Sequence, residues 1–123
     1  METTNHPPAY VTDGFFVKPI DSEFRIKILY DNIIWIEADN NHSHIHCRNM
    51  QYVSVAFNIK KLEDILPVQQ FVRISRSEII NIRLVCKYCG NLLYLENVSR
   101  SFTVTQSYRT CLFTCFCNLE KEY

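Results

Sequence analysis

Glycine is scarce in this chain, with two in 123 residues, and proline is little commoner at four. That excludes collagen-like and low-complexity linker compositions, and it leaves tight turns to be built from other residues. Long apolar runs are missing too: none approaches the ~20 residues that a membrane-spanning helix needs. The stretch Met1 to Asp13 lacks a basic-then-apolar layout, so no secretion signal is expected. Six cysteines without such a signal point to a reducing, cytoplasmic setting and free thiols. There is no GxSxG, HExxH or GxxxxGK[ST] pattern, and no Cys–His pair in a helical context. Catalysis therefore finds no foothold, and no enzyme is expected.

What is present fits one globular domain. Apolar residues make up 47% and charged residues 21% of the chain, which excludes wholesale disorder and coiled coil. A domain of this length can bury roughly two-thirds of its unfolded surface. Formal net charge is zero, yet the charge is segregated. Residues 1–39 hold three cations against seven carboxylates, a balance of −4. Residues 40–110 hold nine against four, a balance of +5, and the remainder adds −1. A basic face is compatible with a neutral total; so is a surface on which the signs intermix.

Residues 1–12, with His6, Pro7 and Pro8, read as a flexible N-terminal arm, and residues 13–120 as a single domain. Short β-type runs then follow one another: Gly14 to Lys18, Glu23 to Leu29, Asn32 to Ala38, Ser43 to Cys47 and Gln51 to Phe57. Phe71 to Ile74, Glu78 to Ile82, Val85 to Tyr88, Leu92 to Glu96 and Ser101 to Thr105 continue the series. Asp31-Asn32, Asn40-Asn41, Arg48-Asn49 and Gly90-Asn91 mark turns, with asparagine standing in for glycine. Two segments break the rhythm. Asn58 can cap a short helix with the stripe Ile59, Leu62, Ile65 and Leu66, stopped by Pro67. From Gln106 to Leu119, the residues Tyr108, Cys111, Leu112, Cys115, Phe116 and Leu119 form a helical stripe. The fold expected is mainly β, about ten short strands with two short helices.

Four constellations carry candidate chemistry. In a strand, His42, His44 and His46 share one face and Ser43, Ile45 and Cys47 the other. Three imidazoles can hold zinc, or they can form a plain polar face; His42, at a turn, can also meet a base edge or a phosphate. In Phe71 to Ser77, Val72 and Ile74 should point inward and Arg73 and Ser75 outward. Arg76 and Ser77 fall at the break before the next strand. An arginine there can grip guanine O6 and N7 or a phosphate, or can simply be solvated. Where the last strand enters the last helix, Gln106 can read adenine, Ser107 and Arg109 can bind phosphate, and Thr105 can cap the helix. Cys86-Lys87-Tyr88-Cys89 is followed by a turn and a strand, so a redox motif at a helix N-terminus is excluded. Cys115-Phe116-Cys117 offers a second thiol pair for zinc, or two small apolar side chains. Glu63 and Asp64 read as solvated.

The ordered set of motifs resembles the LytTR-type DNA-binding domain of bacterial transcription regulators, over roughly Phe15 to Leu119. Asn32 to His42 is similar to the strand and turn written IxYIEAxGNY. Leu62 to Pro67 is similar to the helix that follows. Phe71 to Asn81, FVRISRSEIIN, is similar to FxRxHRSxxVN. Gly90 to Leu95 and Val104 to Tyr108 are similar to the closing GxxxxL and VSRxY stretches.

The resemblance implies an elongated stack of β-sheets that reads double-stranded DNA with loops. His42, Arg76 and Gln106 would approach base edges, with Asn41, Ser75, Ser77, Ser107 and Arg109 beside them. No metal or cofactor is implied. Two departures stand out: Ser75 replaces the usual histidine, and Gln106 replaces the usual arginine after Thr105. Losing that arginine removes a cation from one edge of the footprint. With about a dozen residues ahead of the first strand, the expectation is a stand-alone regulator without its own receiver domain. Like its relatives it would act on promoter direct repeats, with a second copy or a partner regulator on the DNA. The alternative is a β-rich module that docks on a partner regulator and binds DNA weakly or not at all.

Overall fold

The computed structural model describes residues 13–49 and 51–119. The expected arm over residues 1–12 lies outside the described residues. β1 (Gly14–Val17) and β2 (Ile26–Leu29) form an antiparallel hairpin. β3 (Ile33–Asp39), β4 (His42–Cys47), β5 (Tyr52–Val55), β6 (Phe71–Ser75) and β7 (Glu78–Asn81) form the central sheet, in the order β5-β4-β3-β7-β6. β8 (Val85–Cys89), β9 (Leu92–Leu95) and β10 (Ser101–Thr103) form a third sheet, in the order β10-β9-β8. α1 (Ile59–Ile65) joins β5 to β6, and α2 (Gln106–Phe113) follows β10. The fold is thus mainly β with two short helices, and most strand ends fall within a residue or two of the expected ones. The largest shift is at β2, which begins at Ile26 and not at Glu23, while Tyr30–Asn32 forms a 3₁₀ turn.

The central sheet is covered on both faces. One face packs under α1 and the β1–β2 hairpin, with Ile33, Ile36, Ile45, Leu62, Phe71 and Ile79 in the shared core. The other packs on the third sheet and α2, around Trp35, Ile74, Ile80, Leu93, Phe102 and Leu112. A bulge between Ile33 and Trp35 turns Trp35 to the second core while Ile33 and Ile36 stay in the first. Double coverage corrects the expectation for β6. Ser75 is 8% exposed, and the side chain of Arg73 keeps only 13% of its exposure. Neither points freely to solvent.

The short helices follow their local chemistry. Asn58 caps α1, its side-chain oxygen accepting from the Lys61 amide at 2.9 Å. α2 stops at Phe113, well short of the expected Leu119. The Thr114 hydroxyl and the Cys115 thiol both donate to the Cys111 carbonyl, competing with continued helix. Phe116 folds back instead and stacks on Tyr88 with ring centroids 5.1 Å apart. Of the expected stripe, Leu112 is buried and Tyr108 half-buried, whereas Cys111 and Cys115 are exposed and Leu119 is 97% exposed.

Of the four expected turn pairs, asparagine takes the left-handed position at Asn40 (φ 58°), while at Gly90-Asn91 the glycine takes it (φ 61°); Asn97 (φ 61°) is a further left-handed asparagine outside those pairs. Gly14 is required for a different reason: a Cβ there would run into the Ile28 carbonyl of the paired strand.

Candidate nucleic-acid interface

Three bends meet at one end of the central sheet. The Asn40–Asn41 turn joins β3 to β4, and the Arg76–Ser77 turn joins β6 to β7. β3 and β7 are adjacent and antiparallel, so the end of β3 lies beside the start of β7. The Ala38 amide donates to the Ser77 carbonyl at 2.8 Å, which ties the two turns together. The Thr105 amide donates to the Ile74 carbonyl at 2.9 Å, which sets the start of α2 against the edge of β6. His42, Arg76 and Gln106 are all exposed there. At about 4.8 Å per strand, the row from the first turn to the start of α2 spans roughly 17 Å.

The central bend is held from beneath. Arg73 donates from Nε to the Ser75 carbonyl at 2.8 Å and from Nη2 to the Arg76 carbonyl at 2.6 Å. Its Nη1 donates to Glu63 on α1 at 2.7 Å. One guanidinium thus braces two turn carbonyls and is itself braced by a helix. Ser75, expected to face outward, accepts from the Ser77 amide at 3.2 Å and lies under the turn. The Arg76 guanidinium makes no hydrogen bond or ion pair among the described residues. The Arg73–Glu63 pair is not apparent in the linear sequence, where Glu63 reads as solvated. A cation inside an apolar strand with a carboxylate on the preceding helix was the available signal.

At the third bend Thr105 occupies the cap position, but its hydroxyl makes no capping bond and lies 3.4 Å from the Ile74 carbonyl. That corrects the expected cap. Gln106 and Ser107 are exposed on the first turn of α2. Arg109 is half-buried, its Nε donating to the Val104 carbonyl at 3.0 Å.

The histidine strand lies as expected, with Ser43 and Ile45 buried opposite the imidazoles. The antiparallel register supplies partners that the linear sequence concealed. His44 Nε2 lies 3.0 Å from Asp39, and His46 Nε2 lies 2.7 Å from Glu37. With Nε2 donating to Asp39, a neutral His44 ring leaves Nδ1 to accept from the Ser54 hydroxyl at 2.7 Å. The His46 ring also stacks on Trp35 at 4.0 Å. Both side chains are occupied structurally, whereas His42 is exposed at the turn. No group of three or more His, Cys, Asp or Glu side chains among the described residues is arranged to hold a metal ion. All six cysteines are free, and five are exposed. Burial pushes the Cys47 thiol above its ordinary pKa.

Residues 24–116 match the family model of the LytTr DNA-binding domain. The chain belongs to the LytTr DNA-binding domain family. The LytTr domain is a DNA-binding domain. A search of curated proteins returns no match. Among solved structures, the chain is similar to the LytTr DNA-binding domain of a protein from Bacillus cereus, described as a methyl-accepting/DNA response regulator. Identity is 19% and the TM-score 0.69, over 85% of this chain and 97% of that one. That likeness is one of fold.

Proposed function

We propose that this LytTr chain is a sequence-specific DNA-binding regulator of transcription that reads promoter direct repeats through its three bends. His42, Arg76 and Gln106 meet base edges. Asn41, Ser77, Ser107 and Arg109 hold the backbone around them, and Ser75 shapes the central turn from below. Arg76 is the best suited to guanine, because its forked donors match O6 and N7. Gln106 suits adenine N6 and N7. A row of roughly 17 Å covers about half a helical turn of B-DNA, so one copy would read one half-site. Two copies then suit a pair of direct repeats. A double-stranded DNA partner is what a cytoplasmic chain would meet; among the described residues no helix is long and apolar enough to cross a membrane.

The observation that carries this reading is the alignment of three exposed polar side chains from distant parts of the chain on one braced sheet end. The test is selection of duplexes from a random pool by the purified chain, followed by mobility shift. Enrichment of a repeated motif is expected, and Arg76→Ala should weaken its binding and relax one base position. A pool that yields no motif overturns the reading. It would favour the alternative of a module that docks on a partner regulator, for which the neutral net charge and Gln106 are the arguments.

A further inference from the structure

The sheet end continues beyond the first bend. After β1 the chain runs along the edge of β5, where the Ile20 amide donates to the Ser54 carbonyl at 2.9 Å. Ser54 lies one residue from the end of β5, and the register places that strand end beside the start of β4 at His42. The β1–β2 loop therefore extends the row of bends on the His42 side. Between loop and sheet lies an open groove of about 430 Å³, lined among others by Phe16, Lys18, Ile20, Arg25, His42 and Phe57.

The lining has a marked chemistry. Its charged members are Lys18 and Arg25, both exposed, and neither forms an ion pair among the described residues. The loop's two carboxylates, Asp21 and Glu23, do not line the groove. Phe16 and Phe57, 58% and 44% exposed, add apolar surface to the same groove. A nucleic-acid backbone offers the matching pattern: anionic phosphates alternating with apolar deoxyribose faces.

We infer that this groove is a phosphate-backbone site in which Lys18 and Arg25 carry the bound duplex past His42. The inference rests on the DNA-reading proposal and deepens it. From the β3–β4 turn across β4 and β5 to the segment paired with β5 is about two and a half strand spacings, so the row grows from roughly 17 Å to roughly 30 Å, close to a full turn of B-DNA at about 34 Å. The contacts fix register and orientation and carry no base preference.

The test uses the full chain, a labelled duplex selected from a random pool, and fluorescence anisotropy between roughly 50 and 200 mM salt. Changing Lys18→Ala and Arg25→Ala together removes two phosphate contacts. The slope of log affinity against log salt should become shallower by about 1.8, at ~0.9 per contact. Hydroxyl-radical protection should shrink at one end of the site, with the selected motif unchanged. The charge-keeping pair Lys18→Arg and Arg25→Lys should retain the parent slope. A double alanine variant with the parent's slope and protection overturns the inference, provided Arg76→Ala still weakens binding; the groove then serves a protein partner. A parent chain whose binding ignores salt overturns both this inference and the reading beneath it.

Discussion

Arg73 and Glu63 are joined at 2.7 Å, and that contact links a helix on one face of the central sheet to the backbone of the Arg76–Ser77 turn. The residue aimed outward, Arg76, depends for its position on one that is mostly buried. Arg73 spends its donors on carbonyls and a carboxylate of its own chain, so in the proposed reading it positions Arg76 and leaves the duplex to it.

Arg73→Ala should therefore damage stability as well as recognition. Losing charge-assisted bonds to three acceptors should destabilise the fold by about 2–3 kcal/mol, measured by urea unfolding. Glu63 is partly solvated, so Glu63→Gln should cost no more than about 1 kcal/mol. Arg73→Lys should rescue only part of the loss, because an ammonium cannot span the fork. A wild-type unfolding midpoint for Arg73→Ala would show that the clamp contributes nothing.

Arg76→Ala should behave in the opposite way. The side chain is exposed and makes no internal bond among the described residues, so stability should move by less than about 0.5 kcal/mol. Affinity for the selected duplex should fall by about 1–3 kcal/mol. Mobility shift and urea unfolding on the same preparation separate the two effects.

Gln106→Arg tests the departure from the family pattern. A cation restored at this edge should steepen the salt dependence by about 0.9 in slope and tighten binding. It also places positive charge on the first turn of α2, which should cost stability of about 0.3–1 kcal/mol. Unchanged salt dependence would mean that this position does not face the duplex.

Asn81 is 1% exposed, donates to the Ile33 carbonyl at 2.9 Å and accepts from the Arg83 amide at 3.1 Å. It fastens the start of β3 to the end of β7. Asn81→Ala should destabilise by about 2–4 kcal/mol, since it removes two bonds and strands a buried carbonyl. The selected DNA motif should stay the same.

Cys47 should alkylate more slowly than the five exposed thiols, because burial disfavours its thiolate. Iodoacetamide labelling read by peptide mass spectrometry ranks the six. With its folded pKa raised, the Cys47 contribution to stability is fully present below the unfolded thiol value of about 8.5 and is lost as pH rises through the folded value. Cys47→Ala should flatten that alkaline decline.

Alternating apolar residues and asparagine-rich turns were enough to mark ten strands, the capped α1 and the start of α2. Strand pleat, turn conformation and helix caps are set within a few neighbours, whatever packs on them later. The chain order of His42, Arg76 and Gln106 was legible for the same reason. Which sheet faces would be covered was not. Arg73 and Ser75 looked outward until α1 and α2 closed over β6, because burial depends on elements distant in the chain. The carboxylate partners of His44 and His46 came from antiparallel register, and the meeting of the three bends came from the pairing of β3 with β7 and the seating of α2 against β6. Those are long-range choices, made by the two hydrophobic cores that share one sheet, and only the tertiary structure could make them.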